Sequence, residues 1–148
     1  CGEKGAPLFA GDYKFEYGRA DLVRSGRDGS IFALGAMTAR ALKAREILFE
    51  EHGLEVAVWC VSCPLATDDE ALRKAADLGP VLSCEDHSVN SGMGSIMAAR
   101  FAELRLSVPF RAAGVRSYGL SGPSEDVFRA MGLDGPSLAK TFLELARN

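Results

Sequence analysis

Residues 81–106, VLSCEDHSVNSGMGSIMAARFAELRL, decide the fold. They predict a short apolar strand at 81–84, then the polar cluster Glu85-Asp86-His87, and then a turn of small residues around Gly92 and Gly94. A helix is predicted to open at this turn, because apolar residues recur there with helical spacing. These residues are Met93, Met97, Phe101 and Leu104. A strand, a glycine turn and a helix N-terminus are typical of the ligand-facing edge of an α/β unit. The lone G-x-G of Gly92 and Gly94 is too weak a signal for a dinucleotide fingerprint.

Strands alternate with helices on both sides of this stretch. Helices are predicted at 36–52 and 68–79 and after Pro123 and Pro136, and strands at 56–61 and 108–115. Thr67-Asp68-Asp69-Glu70 has the pattern of a capping box at the start of the 68–79 helix. Such alternation predicts an α/β fold of three layers, in which helices cover both faces of a mostly parallel sheet.

Two further strand candidates precede the first helix. They span residues 19–24 and 30–34 and are separated by a connection that ends in Asp28-Gly29. Because Asp-Gly between apolar runs is a strong hairpin signal, the two segments are predicted to pair with each other as an antiparallel hairpin.

Composition sets the class of protein. The 148 residues are enough for one domain, assigned to 14–148, and the Gly-rich residues 1–13 are interpreted as an arm or the end of a linker. A net charge of -3 gives no reason to expect nucleic acid or an anionic membrane as a partner. No apolar run approaches the roughly 20 residues that span a bilayer, and no signal-peptide pattern is present. The first residue is Cys1, which suggests a piece of a longer polypeptide. Four cysteines without secretory context favour free thiols and a cytoplasmic location.

Three cysteines and a histidine have a spacing close to that of a structural zinc site. Cys60, Cys63, Cys84 and His87 form C-x2-C-x20-C-x2-H, so zinc is one alternative. The preferred interpretation is free thiols, because Cys60 falls inside an apolar strand, where cysteine behaves as a small hydrophobic residue. A redox role for C-x-x-C is disfavoured, since no helix starts directly at Cys60.

The polar cluster at 85–87 has two interpretations. Its side chains could serve as an acid/base group at a strand end, or they could brace the neighbouring turn and form a subunit contact. The second is preferred, because no nucleophile or metal site lies nearby in the sequence. The turn at 121–123 is expected to cap its helix, with anion binding as the alternative. No residue is assigned as catalytic, cofactor-binding or metal-binding. The candidates for loop bracing or contact are Glu85, Asp86, His87, Ser91, Gly92, Gly94 and Ser121.

A series of short motifs in fixed order runs from about Phe15 to Ala146. The motifs are Tyr17-Gly18-Arg19-Ala20, Arg24-Ser25-Gly26-Arg27-Asp28, Ala33-Leu34-Gly35, Cys63-Pro64-Leu65, Glu85-Asp86-His87, Gly92-Met93-Gly94-Ser95, Ala113-Gly114-Val115, Ser121-Gly122 and Met131-Gly132-Leu133. Together they resemble the C-terminal domain of transketolase-like, thiamine-diphosphate-dependent enzymes. That family includes transketolase, deoxyxylulose-phosphate synthase and the beta subunits of 2-oxo acid dehydrogenases. The chain departs from the family at Ser91, where a glycine is usual, and at Cys63, where a lysine is common.

The resemblance implies a five-stranded mixed sheet with one antiparallel strand. It also implies that thiamine diphosphate and Mg²⁺ are held elsewhere in the complete enzyme, by a Gly-Asp-Gly motif followed by an asparagine. Asp28-Gly29 has no such asparagine after it, so this chain is expected to bind no cofactor. The implied partners are the cofactor-binding and pyrimidine-binding domains or subunit of the same enzyme, in a homodimer. The alternatives are the corresponding domain of a 2-oxo acid dehydrogenase beta subunit or of deoxyxylulose-phosphate synthase, and an independent small-ligand or zinc-binding regulatory module.

Overall fold

A five-stranded mixed sheet lies at the centre of the computed structural model, which describes residues 8–9 and 11–147. The strands are β1 (Ala20–Arg24), β2 (Ser30–Leu34), β3 (Ala57–Val61), β4 (Val81–Ser88) and β5 (Phe110–Val115). The helices are α1 (Thr38–His52), α2 (Asp69–Leu78), α3 (Met93–Glu103), α4 (Ser124–Ala130) and α5 (Gly135–Ala146). The strand order is β1-β3-β2-β4-β5, with β1 antiparallel to β3 and the other pairs parallel. The predicted mixed, mostly parallel sheet is confirmed.

Helices cover both faces of the sheet, because the central strands are apolar on both sides. Along β2, Ile31 and Ala33 pack with α1 and α5, whereas Phe32 packs on the opposite face with α2 and α3. There the ring of Phe32 stacks on that of Trp59, with the ring centroids 5.5 Å apart. This period-two alternation with both sets buried is what a central strand in a three-layer fold requires.

The predicted hairpin between residues 19–24 and 30–34 is wrong. β1 pairs with β3, in the register Ala20 to Val61, and β2 lies on the far side of β3. The connection crosses the start of β3: Asp28 accepts a hydrogen bond from the backbone N–H of Glu55 at 2.8 Å. A Cβ atom on Gly26 would lie 2.3 Å from the backbone nitrogen of Ala57. Glycine therefore serves a close backbone crossing here, and a two-residue turn is not formed.

The first helix matches its prediction closely. A 3₁₀ turn at Gly35–Met37 leads into α1, and an apolar stripe with helical spacing along it is fully buried. That stripe consists of Met37, Ala41, Ala44 and Leu48. The helix ends at Gly53, whose φ of 68° is left-handed, as a glycine C-cap requires.

The second helix is capped by a different residue from the one that the capping-box pattern assigns. Asp68, and not Thr67, holds the N-cap position of α2, where its side chain accepts from the N–H of Ala71 at 3.1 Å. Its other carboxylate oxygen accepts from the N–H of Ala20 at 3.0 Å. One carboxylate thus caps α2 and fixes the start of β1.

The described part of the first 13 residues contacts the sheet. The ring of Phe9 stacks on Tyr13 at a centroid distance of 4.3 Å, and the Tyr13 hydroxyl donates to Asp21 on β1 at 2.7 Å. This hydrogen bond raises the pKa of Tyr13 to about 12. Residues 1–7 and 10 of the predicted arm lie outside the described residues. Among the described helices, none combines the length and the apolar character needed to cross a membrane.

Candidate functional site: the Glu85 turn and the carboxyl edge of the sheet

Glu85 joins β4 to the start of α3. The strand predicted at 81–84 continues to Ser88, so Glu85 lies inside β4 and its side chain is fully buried. Its two carboxylate oxygens accept from the backbone N–H groups of Met93 at 2.7 Å and Gly94 at 2.8 Å. These N–H groups belong to the first turn of α3, where no intrahelical acceptor exists and the helix dipole favours a negative charge. Glu85 therefore takes the place of a side-chain N-cap for α3.

Three glycines make room for this carboxylate. A Cβ atom would lie 1.9 Å from Oε2 of Glu85 if built on Gly92, and 3.2 Å from Oε1 if built on Gly94. On the neighbouring strand β5, a Cβ on Gly114 would lie 3.0 Å from Cγ of Glu85. Gly92 is thus explained by the volume of Glu85, whereas the nearest obstacles are Cβ of Ala112 at 2.5 Å for Gly94 and Cγ1 of Val89 at 2.8 Å for Gly114. Close packing around the turn accounts for all three glycines, and no bound phosphate is needed.

Local hydrogen bonds hold the rest of the turn together. The N–H of Asn90 donates to Oγ of Ser88 at 3.3 Å, and the N–H of Ser91 donates to the carbonyl of Ser88, also at 3.3 Å. At its far end, Oγ of Ser95 donates to the carbonyl of Val89. Ser91 itself is exposed, so a side chain is tolerated where the family usually has glycine.

Asp86 and His87 project from the exposed end of β4. The Nδ1 atom of His87 lies 2.8 Å from Oδ1 of Asp86, and the side chains are 63% and 41% exposed, respectively. The other histidine, His52, is the last residue of α1, at the end of the sheet where the parallel strands begin. The pair is accessible to a partner, but no second histidine or buried carboxylate in the described chain faces it for proton transfer.

Ser121 does not cap the fourth helix. Pro123 holds the N-cap position of α4 and no side-chain hydrogen bond caps this helix, which corrects the prediction that the turn caps it. Glu125 and Asp126 lie in its first turn, where their negative charges interact favourably with the helix dipole. Ser121 is exposed in the loop between β5 and α4.

Large apolar side chains surround the carboxyl ends of the strands. Tyr17 is 75% exposed, Leu65 is 86% exposed and Tyr118 is 98% exposed. Tyr17 precedes the start of β1, which pairs with the end of β3, while Leu65 and Tyr118 follow β3 and β5. We call these residues, with Asp86 and His87, the carboxyl-edge surface. The sequence did not show that the three apolar side chains are exposed, because the exposure of a loop residue leaves no periodic pattern in the sequence.

Cys60 and Cys84 lie too far apart to ligate one zinc ion together. In the parallel register, both Cys60 and Cys84 pair with Ala33, so they lie one strand to either side of β2. Two strand spacings amount to about 9–10 Å. Each ligand atom of a zinc ion lies about 2.0–2.3 Å from the metal, so two ligand atoms of one ion are at most about twice that distance apart. Within residues 8–9 and 11–147, no three His, Cys, Asp or Glu side chains are grouped to hold a metal. Cys60, Cys63 and Cys84 are free thiols, and burial raises the pKa of Cys84 well above its usual value, with a smaller contribution from Glu85.

Comparison with known proteins gives concordant results. Residues 18–138 match the family model described as transketolase, C-terminal domain. The chain is 32% identical over 138 residues to a subunit of apulose-4-phosphate transketolase of Phocaeicola vulgatus, covering 92% of this chain and 43% of that protein. It is 32% identical over 131 residues to 1-deoxy-D-xylulose-5-phosphate synthase of Thermosynechococcus vestitus, covering 87% of this chain and 20% of that protein.

A solved structure agrees with the fold. A chain described as split gene transketolase, inactive beta4 tetramer, superposes with a TM-score of 0.89 at 30% identity, over 96% of this chain and 46% of that one. The chain thus spans less than half the length of these relatives. The strand order, the Glu85 turn and the family match agree with one another: this chain belongs to the transketolase C-terminal domain family.

Proposed function

We propose that this chain is the C-terminal domain, or the end of a split subunit, of a transketolase-like enzyme, and that it serves assembly and subunit contacts. The complete enzyme would transfer a two-carbon ketol unit on thiamine diphosphate, as a cytoplasmic homodimer. The similarity to a subunit of apulose-4-phosphate transketolase supports this proposal. The chain covers 43% of that subunit, which is what one domain of a longer subunit would do. The similarity to a 1-deoxy-D-xylulose-5-phosphate synthase makes the corresponding domain of such an enzyme the second candidate.

Two carboxylates that sequence motifs single out, Asp28 and Glu85, are not available to hold Mg²⁺ and a diphosphate. Mg²⁺ takes oxygen ligands, usually one or two carboxylates together with phosphate oxygens. Asp28 belongs to the only Asp-Gly pair that precedes the first helix, and its carboxylate accepts from the N–H of Glu55. This contact lies at the start of β3, whereas the carboxyl-edge surface lies at the other end of that strand. Glu85 is enclosed and already accepts two N–H groups. We therefore propose that the cofactor is held by the cofactor-binding and pyrimidine-binding domains or subunit.

The carboxyl-edge surface carries the assembly proposal. Exposed aromatic side chains such as Tyr17 and Tyr118 are enriched at protein interfaces and are otherwise costly to leave in water. They lie at the same end of the sheet as Asp86 and His87, which can supply polar contacts at the rim of an interface. Glu85, buried beneath them, holds the turn that positions this edge. The proposal is that this surface packs against the rest of the enzyme.

The test uses the complete enzyme and measures assembly and turnover separately. Tyr118→Ser and His87→Ala should each weaken subunit association about tenfold, as loss of an interface side chain worth about 1.4 kcal/mol does. Turnover per assembled particle should stay within about twofold of the parent value. Phe49→Ser is the matched control, because Phe49 is 51% exposed on α1, away from the carboxyl edge. It should leave both quantities unchanged.

The opposite pattern would contradict the proposal. If assembly is unaffected while turnover falls about a hundredfold or more with His87→Ala, the histidine takes part in proton transfer. If Tyr118→Ser and Phe49→Ser have equal effects on association, the carboxyl-edge surface is not the interface.

A further inference from the structure

A cleft beside the free edge of β5 has the composition of a site for an anion. Its volume is about 390 Å³, within the range of about 300–1,000 Å³ that small-molecule sites occupy. Two arginines, Arg111 and Arg116, line it, and no acidic residue does so among the described residues. We call it the Arg116 cleft.

The guanidinium group of Arg116 is held in place and has unused donors. Its Nη2 atom donates to the carbonyl of Ala112 at 2.8 Å, and within the described part of the chain no carboxylate pairs with it. A guanidinium has five N–H donors, so most of its hydrogen-bonding capacity remains available. Arg111 differs, because its Nη1 atom lies 3.1 Å from Glu144 on α5. Arg116 is therefore the residue that a ligand oxyanion would meet.

Backbone donors of β5 add to this charge. β5 is the last strand of the sheet, so one of its sides has no partner strand. The carbonyl of Pro109 accepts from the N–H of Val81 on β4, whereas the carbonyl of Ala112 accepts from the Arg116 side chain. The backbone N–H and C=O groups of odd-numbered residues in β5 therefore point to β4, and those of even-numbered residues point to the free edge. The N–H groups of Ala112 and Gly114 consequently point to the side where Arg116 lies. Unpaired edge N–H groups beside a guanidinium suit an anionic acceptor.

The opposite wall of the cleft is apolar. It is formed by Leu120, Met131 and Leu133, while Ser117 and Thr141 contribute hydroxyl groups. A bare inorganic ion would leave this wall in contact with water. A small organic molecule with one anionic end would cover it.

We propose that the Arg116 cleft binds a small organic oxyanion, a phosphate monoester or a carboxylate, with the anionic group at Arg116 and the carbon skeleton on the Leu120–Leu133 wall. The proposal uses none of the residues of the carboxyl-edge surface, although Arg116 also borders a second cavity together with Tyr118. Binding would give this domain a ligand of its own in addition to its contacts.

Isothermal titration of the 148-residue chain at low ionic strength tests the proposal. The probes are ribose 5-phosphate and succinate, and ribose is the neutral control. At least one anion should bind saturably and ribose should not. Binding of ribose 5-phosphate alone would identify a phosphate monoester as the ligand class, and binding of succinate alone would identify a carboxylate.

Variants place the site. Arg116→Ala should weaken the binding of the anion about tenfold or more, as loss of a charge-assisted hydrogen bond does. Arg116→Lys, which keeps the charge but not the fork of donors, should restore part of it. Arg73→Ala, an exposed arginine on α2 across the sheet, should have no effect. Circular dichroism checks that each variant is folded. Absence of saturable binding to the parent chain, or equal binding by Arg116→Ala, would overturn the proposal.

Discussion

A Cβ atom on Gly92 would lie 1.9 Å from Oε2 of Glu85, a separation that no pair of non-bonded atoms can maintain. Gly92 has a φ of -93°, which any residue can adopt, so the requirement for glycine at this position is purely one of space. The buried carboxylate and the missing side chain therefore form one unit.

Gly92→Ala should destabilise the chain by about 1–3 kcal/mol, the usual cost of overpacking a buried site. The added methyl group must displace either Glu85 or the backbone of Ser88, whose carbonyl oxygen is 2.7 Å from the position that the methyl carbon would take. Gly119→Ala is the control, because a Cβ there meets nothing within 4 Å. Urea unfolding followed by the fluorescence of the single tryptophan, Trp59, measures both variants. Equal stabilities would show that the turn yields easily.

Glu85→Gln should also destabilise the chain, by about 1.5–3 kcal/mol, although it preserves size. One carboxylate oxygen is replaced by an NH₂ group, which cannot accept the hydrogen bond that Met93 or Gly94 donates. A buried N–H group is then left without a partner at the start of α3. Asp86→Asn, at an exposed site, should change stability by less than about 0.5 kcal/mol. Hydrogen exchange should show faster exchange of the Met93 or the Gly94 amide in Glu85→Gln only.

Asp69 should make stability depend on acid pH. Arg100 donates to both of its carboxylate oxygens, with Nε 2.7 Å from Oδ1, and these bonds hold the pKa of Asp69 below its usual value. Because the folded pKa is the lower one, the stabilisation is fully present above the pKa of an unfolded aspartate, about 3.9, and is lost as the pH falls through the folded pKa. The side chains of Arg100 and Asp69 are 34% and 39% exposed, so solvent limits the effect at pH 7 to about 1 kcal/mol or less.

The measurement compares Asp69→Asn with the parent chain by urea unfolding between about pH 7 and pH 2.5. The variant should be less stable at pH 7, and the difference should shrink as the pH falls. Asp77→Asn, an exposed change on the same helix, should give no pH-dependent difference. A difference that grows in acid would contradict the assigned direction.

The cysteines should react with iodoacetamide in an order set by burial. Cys63 is partly exposed and should be alkylated in the native state, whereas Cys84 is fully buried and burial raises its pKa, so that little thiolate is present. Cys60, 5% exposed, should also be protected. Peptide mapping after a short pulse, with and without urea, gives the order. Rapid native alkylation of Cys84 would show that the sheet opens locally near β4.

Most of the fold could be predicted from the sequence, because its helices carry periodic apolar stripes and clear end signals. The stripe that begins at Met37 and the glycine at 53 define α1 from local information alone. The pairing of β1 could not be predicted in this way. Asp28-Gly29 has the local chemistry of a hairpin, and only the contact between Asp28 and Glu55, 27 residues later, reveals the crossing.

The candidate site is predictable in part. The cluster at 85–87 and the turn at 92–94 are both evident in the sequence, but the pattern ends β4 four residues too early, because polar side chains argue against a buried strand. Glu85 is fully buried only because α3 supplies two donors. That compensation depends on tertiary structure. The exposed Tyr118 and the Arg116 cleft depend on it too, since both are defined by which neighbours are near.

The place of β1 in the sheet has a consequence for the order in which this chain can acquire its structure. During synthesis β1 leaves the ribosome before the strand that it must pair with, and β2 and the whole of α1 are made in between. β1 must therefore wait as an unpaired segment until residues 57–61 emerge. The β2–β3 and β2–β4 pairs need only successive βαβ units, so they can form without it. The first strand of this sheet in chain order can thus join only after the third has been made, and it then closes one edge of the sheet while the opposite edge still awaits β4 and β5.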